Sequence, residues 1–158
     1  MIPTQLRLPE ARFIKVHTRA KNPDEGLNWG EKGRTHDDPE LAKHIQGGGN
    51  AGLLCSSANL LVIDFDSQEL QDNIVPKLPS TFTVKSGRGL LHKYFFCDDP
   101  QTIKVLDANK NTLADICGKG KQVLIPPSVH PNGTPYTVVD ESSIAPITNP
   151  IGTILGLR

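Results

Sequence analysis

The sequence contains no pair of cysteines close enough together to suggest a metal-binding knuckle. Its three cysteines, Cys55, Cys97 and Cys117, are widely separated and odd in number, and no C-x-x-C pair occurs. A structural zinc site or a disulfide framework is therefore not predicted, because both need clustered or paired cysteines. Each cysteine lies in or beside an apolar stretch, which predicts small buried thiols and fits a reducing, cytoplasmic environment.

Long hydrophobic runs and an excess of charge of either sign are also absent. Only 37% of the 158 residues are hydrophobic, and the first residues show no basic region followed by an apolar one. We therefore expect neither a membrane-spanning segment nor a secretion signal. The formal net charge of zero argues against a nucleic-acid wrapper that is basic overall. A local cluster of Lys85, Arg88 and Lys93 still allows a basic groove.

The segments that are present predict a strand-rich α+β fold. Short apolar or alternating stretches are separated by turns rich in Gly, Pro and Asn, which is typical of strands. We expect strands near residues 12–17, 51–55, 60–66, 81–85, 90–96, 112–116, 122–125 and 135–139. One helix is expected from an N-cap at Thr35 to about Gln46, and Ser67 is expected to cap a second, short one. Residues 146–158 show no clear period and are expected to form a tail or tether.

The most informative stretch is an apolar run that ends in two carboxylates separated by one residue. Leu60 to Ile63 leads directly into Asp64, Phe65 and Asp66. On a strand, Asp64 and Asp66 point to the same face while Phe65 points to the other, into a core. Two carboxylates on one face repel each other and are costly to desolvate, so the pattern indicates a divalent cation site.

Two further segments carry residues suited to the same chemistry. A Gly-rich turn, Ser86 to Gly89, runs into a strand that bears His92, and a third acid, Asp115, follows an apolar pair. Each signal alone is weak, since S-G-R-G is more often a hairpin turn and a lone His is more often a hydrogen-bonding partner. Their order along the chain makes a joint function the better interpretation.

The collinear motifs resemble the N-terminal primase-polymerase domain of the archaeo-eukaryotic primase superfamily, found in replication proteins of plasmids, phages and mobile elements. The resemblance covers roughly residues 10–140. It is carried by the D-x-D after an apolar run, the Gly-rich turn leading to His and an aromatic strand, and the apolar-Asp motif. The supporting segments are Lys21-Asn22-Pro23, Trp29, Asn50-Ala51-Gly52, Gly118 to Gly120, Pro126-Pro127-Ser128 and Tyr136.

The resemblance implies an N-terminal α/β lobe (about 1–58), an antiparallel lobe of the RNA-recognition-motif type (about 59–145) and an active site in the cleft between them. It implies template-directed nucleotidyl transfer, as primase, polymerase or both, with two divalent cations (Mg²⁺ or Mn²⁺). The expected cation ligands and catalytic residues are Asp64, Asp66 and Asp115. The expected nucleotide-binding residues are Ser86, Gly87, Arg88, His92 and Lys93. Lys21, Lys119 and Lys121 are candidates for template or phosphate contacts.

The partners that the resemblance implies are a single-stranded DNA template, a primer strand and nucleoside triphosphates, with a helicase as a possible downstream partner. Two alternatives stay open at this point. One is a non-catalytic module that binds nucleic acid or nucleotide, which the three acids disfavour. The other is a rolling-circle nicking enzyme, which needs a His-x-His pair that the sequence lacks and a nucleophilic tyrosine, for which Tyr94 and Tyr136 are candidates. Trp29 is expected to be a core anchor rather than a base-stacking platform.

Overall fold

The fold is α+β and mostly antiparallel sheet, as the sequence predicts. The computed structural model describes residues 1–155. The strands are β1 (Phe13–Val16), β2 (Asn50–Leu54), β3 (Leu60–Phe65), β4 (Thr83–Lys85), β5 (Leu91–Phe96), β6 (Ile103–Leu106), β7 (Thr112–Cys117), β8 (Gln122–Leu124), β9 (Thr137–Asp140) and β10 (Ala145–Pro146). The α-helices are α1 (Pro39–Gln46), α2 (Gln68–Ile74) and α3 (Pro150–Leu155). Short 3₁₀ helices occupy Thr4–Leu6, Trp29–Glu31, Ser57–Asn59 and Val75–Lys77.

The strands form two sheets that face each other. The small sheet has the order β1-β2-β8, and the large sheet has the order β6-β7-β3-β5-β4-β9, with β10 added parallel to β5. The central strands β7-β3-β5-β4 are antiparallel throughout, with α2 after β3, which is the expected arrangement of the RNA-recognition-motif type. Strand β8 lies within the second expected lobe by sequence, yet it completes the small sheet by pairing with β2.

Alternation along β3 divides the interior into two cores. Leu60 and Val62 pack with the small sheet, whereas Leu61, Ile63 and Phe65 pack on the other face of the large sheet, where Ile74 and Ile154 supply helical cover. Phe65 points into this second core, which we call the helix-side core. Because side chains alternate along a strand, the residues before and after Phe65 point toward the small sheet. Asp64 and Asp66 are those residues, so the packing of β3 fixes the direction of both carboxylates.

The first long helix begins later than the sequence suggests. Its N-cap is Asp38, whose Oδ1 accepts a hydrogen bond from the Leu41 amide at 2.9 Å, and Pro39 occupies the first turn. Thr35, the expected cap, instead donates its hydroxyl to Asp37, and the Thr35 carbonyl closes a turn with the Asp38 amide. The cap of α2 is Ser67, as predicted.

The segment expected to be a tail packs against the large sheet over the part that the structure describes. Ala145 and Pro146 pair with β5, and α3 follows after a short turn. Ile154 is 1% exposed within the helix-side core, and Ile147 and Ile151 pack against it. Ile151 and Ile154 are three residues apart on α3, a spacing that places them on one face of the helix. Residues 156–158 of the expected tail lie outside the described residues. No helix among residues 1–155 is long and apolar enough to cross a membrane.

Candidate active site

The strand register places two of the three predicted acids directly opposite each other. Asp64 in β3 pairs with Asp115 of β7 on one side and with His92 of β5 on the other. Asp66 follows β3 and has the parity of Asp64. All four side chains line one pocket of about 280 Å³, which the small sheet closes through Gln122 and its neighbours in β8. The pocket therefore lies in the cleft between the two sheets.

Most of the residues that the sequence singles out come together here. Eight of the eleven predicted site residues line the pocket: Lys21, Asp64, Asp66, Ser86, Arg88, His92, Asp115 and Lys121. They come from six separate stretches of the chain. The cleft position and the convergence agree with the expected location of the site.

Lys93 lies outside the pocket. It follows His92 on the same strand, so its side chain projects from the opposite face of the sheet. It is 6% exposed and stands across from Ile63, which belongs to the helix-side core. Burial lowers the pKa of Lys93, and the charge of Asp140 acts in the other direction. This position gives no support to the predicted nucleotide contact.

Lys119 also points away from the pocket. Its ammonium group forms an ion pair with Asp99, and its carbonyl accepts a hydrogen bond from the Thr102 hydroxyl at 2.7 Å. Lys121, two residues later, does line the pocket. Of the two lysines in this turn, only Lys121 is placed to meet a ligand in the cleft.

Each of the three acids faces a different basic side chain. Asp64 Oδ1 lies 3.1 Å from His92 Nε2, and Asp66 Oδ1 accepts a hydrogen bond from Arg88 Nη1 at 3.1 Å. Asp115 Oδ1 lies 3.6 Å from the ammonium of Lys104. Lys104 comes from the outer strand β6, directly opposite Asp115. The sequence analysis missed it, since nothing local marks it as part of the site.

The two acids of β3 have different electrostatic surroundings. Burial alone would raise the pKa of Asp64, but the hydrogen bond and charge of His92 outweigh it and lower that pKa. Burial and the charge of Asp64 raise the pKa of Asp66, and the Asp66–Arg88 pair offsets them only in part. The ionised form of Asp66 is therefore disfavoured by burial and by repulsion from Asp64, which Arg88 does not fully cancel.

A second turn closes the pocket on the side of the Gly-rich turn. A Cβ at Gly87 would lie 2.0 Å from Cβ of His130, so only glycine lets the two turns meet there. Asn132 strengthens the contact, because its Nδ2 donates to the Gly87 carbonyl at 3.0 Å. Gly87 thus serves the site by admitting His130, which lines the pocket. No motif in the sequence marks His130 as part of the site.

Tyr136 lines the pocket close to two of its histidines. It is 5% exposed, and its ring centroid lies 6.0 Å from that of His92 and 6.3 Å from that of His130. Burial and the charge of Asp64 raise the pKa of Tyr136 to about 12, so its hydroxyl stays protonated at neutral pH. In the sequence, Tyr136 is marked by its position after Pro126-Pro127-Ser128, among the segments that support the family resemblance.

Hydrogen bonds from β2 and β8 hold the loops that supply Lys21 and His130. Asn50, 1% exposed, donates to the carbonyls of Ala20 and Val129 at 3.0 and 2.8 Å and accepts from the Val129 amide. Gln122 Nε2 donates to the Lys21 carbonyl at 2.9 Å. The Asn50-Ala51-Gly52 signal thus has a physical meaning, because a Cβ at Gly52 would lie 2.1 Å from Gln122 Oε1.

Replacing Asn50 with alanine should destabilise the protein by about 2–4 kcal/mol, because three backbone groups would lose their partner. Urea unfolding measures the change. The matched control is Asn73→Ala, at an exposed position on α2, which should stay within about 0.5 kcal/mol of the parent. Equal stabilities of the two variants would show that Asn50 does not hold these loops.

The donor chemistry of the pocket fits hard divalent cations. Three carboxylates line it from neighbouring strands, and Mg²⁺ and Mn²⁺ favour such oxygens. Within residues 1–155, no group of three His, Cys, Asp or Glu side chains already converges as a metal cage. Each carboxylate instead faces a separate basic side chain.

Comparison with known families agrees with this geometry. Residues 6–150 match the model of the family described as bifunctional DNA primase/polymerase, N-terminal, or Prim-Pol. The comparison with curated proteins gave no match. The matched range includes every strand and every residue that lines the pocket. The chain therefore belongs to the Prim-Pol family of bifunctional DNA primase/polymerase N-terminal domains.

Proposed function

We propose that this chain catalyses template-directed nucleotidyl transfer, as a DNA primase, a DNA polymerase or both, in the replication of a plasmid, phage or mobile element. Family membership implies nucleotidyl transfer and the binding of DNA and nucleotides in general. The observation that supports the finer proposal is the pairing of Asp64 with Asp115 across neighbouring strands, with Asp66 lining the same pocket.

Asp64, Asp66 and Asp115 are the residues that would hold two divalent cations, Mg²⁺ or Mn²⁺. Bound there, such cations would activate the attacking 3′-hydroxyl and neutralise charge on the triphosphate and the leaving pyrophosphate. The chain's contribution is to hold three carboxylates on a rigid sheet, where Asp64 and Asp115 are fixed by the ladder between β3 and β7. Asp66 sits just beyond the ladder, with its amide bonded to the Leu113 carbonyl at 2.9 Å.

The turn Ser86 to Gly89 and His92 are proposed to bind the triphosphate. Arg88 is the exposed cation of the turn, and Ser86 lines the pocket. Among the hydrogen bonds of the described residues, the amides of Gly87 and Arg88 donate to no protein group. Successive free amides in a turn form a concave site for anionic oxygens. Nε2 of His92 faces the same pocket, where Asp64 and a phosphate oxygen are alternative acceptors.

The nicking-enzyme alternative loses one of its two candidate nucleophiles. Tyr94 is fully buried between the two sheets, and burial raises its pKa far above the ordinary value. Tyr136 lines the pocket, but the sequence has no His-x-His pair to accompany it. The structure thus favours nucleotidyl transfer over strand nicking.

The proposal is tested by incubating the protein with single-stranded templates, labelled nucleotides and Mn²⁺, with and without a primer. We expect incorporation, and products without a primer would establish priming. A thermal-shift assay adds a binding readout, in which Mn²⁺ and a deoxynucleoside triphosphate together should raise Tm more than either alone. A shift without incorporation would favour a non-catalytic binding module, and no shift with either ligand would overturn the assignment of the site.

A further inference from the structure

A second concave surface adjoins the catalytic pocket. We call it the Trp29 groove; its main lining residues are Arg12, Trp29, Ser56, Ser57, Gly120 and Lys121. Lys121 lines both the groove and the pocket of the three acids, so the two surfaces adjoin at this residue. No carboxylate lines the groove in the described part of the chain. Its charge is therefore opposite to that of a phosphate backbone.

Trp29 presents an aromatic surface that is held in place. It begins the 3₁₀ helix Trp29–Glu31, is half-buried, and packs partly against the core between the sheets. The remainder of the side chain lines the groove. Positions beside it are open, since a Cβ at Gly30 or Gly120 would meet no atom within 4 Å. The backbone at these two glycines is therefore not covered by other groups.

The groove has two cationic side chains, Arg12 and Lys121. Arg12 donates from Nη1 to the carbonyls of Pro9 and Ala11 at 2.7 and 3.0 Å. Its Nε and Nη2 make no hydrogen bond among the described residues. The Lys121 carbonyl accepts from the Cys55 amide at 3.0 Å, which anchors the backbone of Lys121.

We propose that the Trp29 groove binds the single-stranded nucleic acid template next to the catalytic pocket, with a base stacked on Trp29 and phosphates contacted by Arg12 and Lys121. A basic track combined with an aromatic platform is the usual way in which proteins hold single strands without reading sequence. The inference rests on the proposed function, because it supplies the path for the strand that the reaction copies.

Trp29 is the only tryptophan in the chain, so intrinsic fluorescence reports on the groove directly. Titration with an oligothymidylate should quench the emission to a plateau, and added salt should shift the titration to higher oligonucleotide concentration. Thymidine triphosphate alone should leave the emission nearly unchanged. A parallel titration with oligouridylate shows whether the groove distinguishes DNA from RNA; binding of either supports a single-strand site.

Variants give a second readout with a labelled oligothymidylate in an anisotropy assay. Trp29→Ala should weaken binding by about tenfold, Trp29→Phe should retain most of it, and Arg12→Gln should weaken binding and reduce its salt dependence. Lys77→Gln is the matched control, at an exposed lysine near α2 outside the groove. Arg12→Gln and the fluorescence of the parent protein keep the test decisive if Trp29→Ala fails to fold.

Two outcomes separate the groove from the proposed function. In the first, the fluorescence of the parent protein is not quenched, Arg12→Gln and Trp29→Ala bind the oligonucleotide like the parent, and primer extension is intact. That result would overturn the proposed role of the groove alone. Loss of both oligonucleotide binding and nucleotide incorporation in the parent protein would overturn the two proposals together.

Discussion

Asp64→Asn and Asp115→Asn should each abolish nucleotide incorporation, with a loss of about 10³-fold or more. An amide keeps the shape of the side chain but removes the negative charge that a divalent cation needs. The two residues face each other across β3 and β7, so loss of either leaves the opposite carboxylate alone. Primer extension with Mn²⁺ measures the effect. Glu69→Gln, at an exposed position on α2, is the matched control and should extend primers like the parent.

Asp66→Asn separates loss of chemistry from loss of folding. Burial and the charge of Asp64 raise the pKa of Asp66, so its ionised form disfavours the folded state at neutral pH. The stability that protonated Asp66 contributes is present below the unfolded pKa and is lost as pH rises through the folded one. Asp66→Asn should therefore be inactive yet melt at an equal or higher temperature at pH 7. The gain should vanish below about pH 4. Substantial primer extension by all three asparagine variants would refute the assignment of the acids as cation ligands.

His92→Ala should weaken nucleotide binding about tenfold, because a charge-assisted hydrogen bond to the triphosphate would be lost. His92 is 5% exposed, lines the pocket, and has Asp64 as its polar partner, while its Nδ1 is buried without a hydrogen bond among residues 1–155. The dissociation constant of a fluorescent deoxynucleotide, measured beside kcat, gives the result. Melting curves establish that the variant is folded.

A different combination of effects on kcat and on nucleotide affinity would assign His92 another role. If kcat falls while nucleotide affinity is unchanged, His92 acts only by holding Asp64, as their 3.1 Å contact allows. His130→Ala is the informative comparison, since His130 also lines the pocket but contacts none of the three acids through an ion pair. We expect a smaller effect on affinity there than at His92.

The placement of the acids could be predicted because it depends on local alternation. A strand has a period of two, so the apolar positions of β3 determine which face receives Asp64 and Asp66. The same rule, applied to β5, would have put Lys93 on the face opposite His92. Its assignment to the nucleotide site gave charge more weight than strand parity.

Other parts of the site depend on contacts between distant segments. Gly87 is fixed by His130, which lies more than forty residues later, and the ion pair of Lys119 with Asp99 joins two separate turns. Lys104 reaches Asp115 only because β6 pairs with β7. A single sequence shows each of these residues, but the partner that gives it a role appears only once the sheets are assembled.

Two ion pairs and a histidine contact engage the three carboxylates of the pocket. Arg88 and Lys104 are internal counter-ions for Asp66 and Asp115, and His92 Nε2 lies against Asp64. A divalent cation that binds alone displaces Arg88 and Lys104 from their carboxylates and adds positive charge beside them. A triphosphate arriving with it gives the released Arg88 a new anionic partner. Under the proposed function, these contacts favour joint binding of metal and nucleotide, each raising the affinity for the other by the same factor.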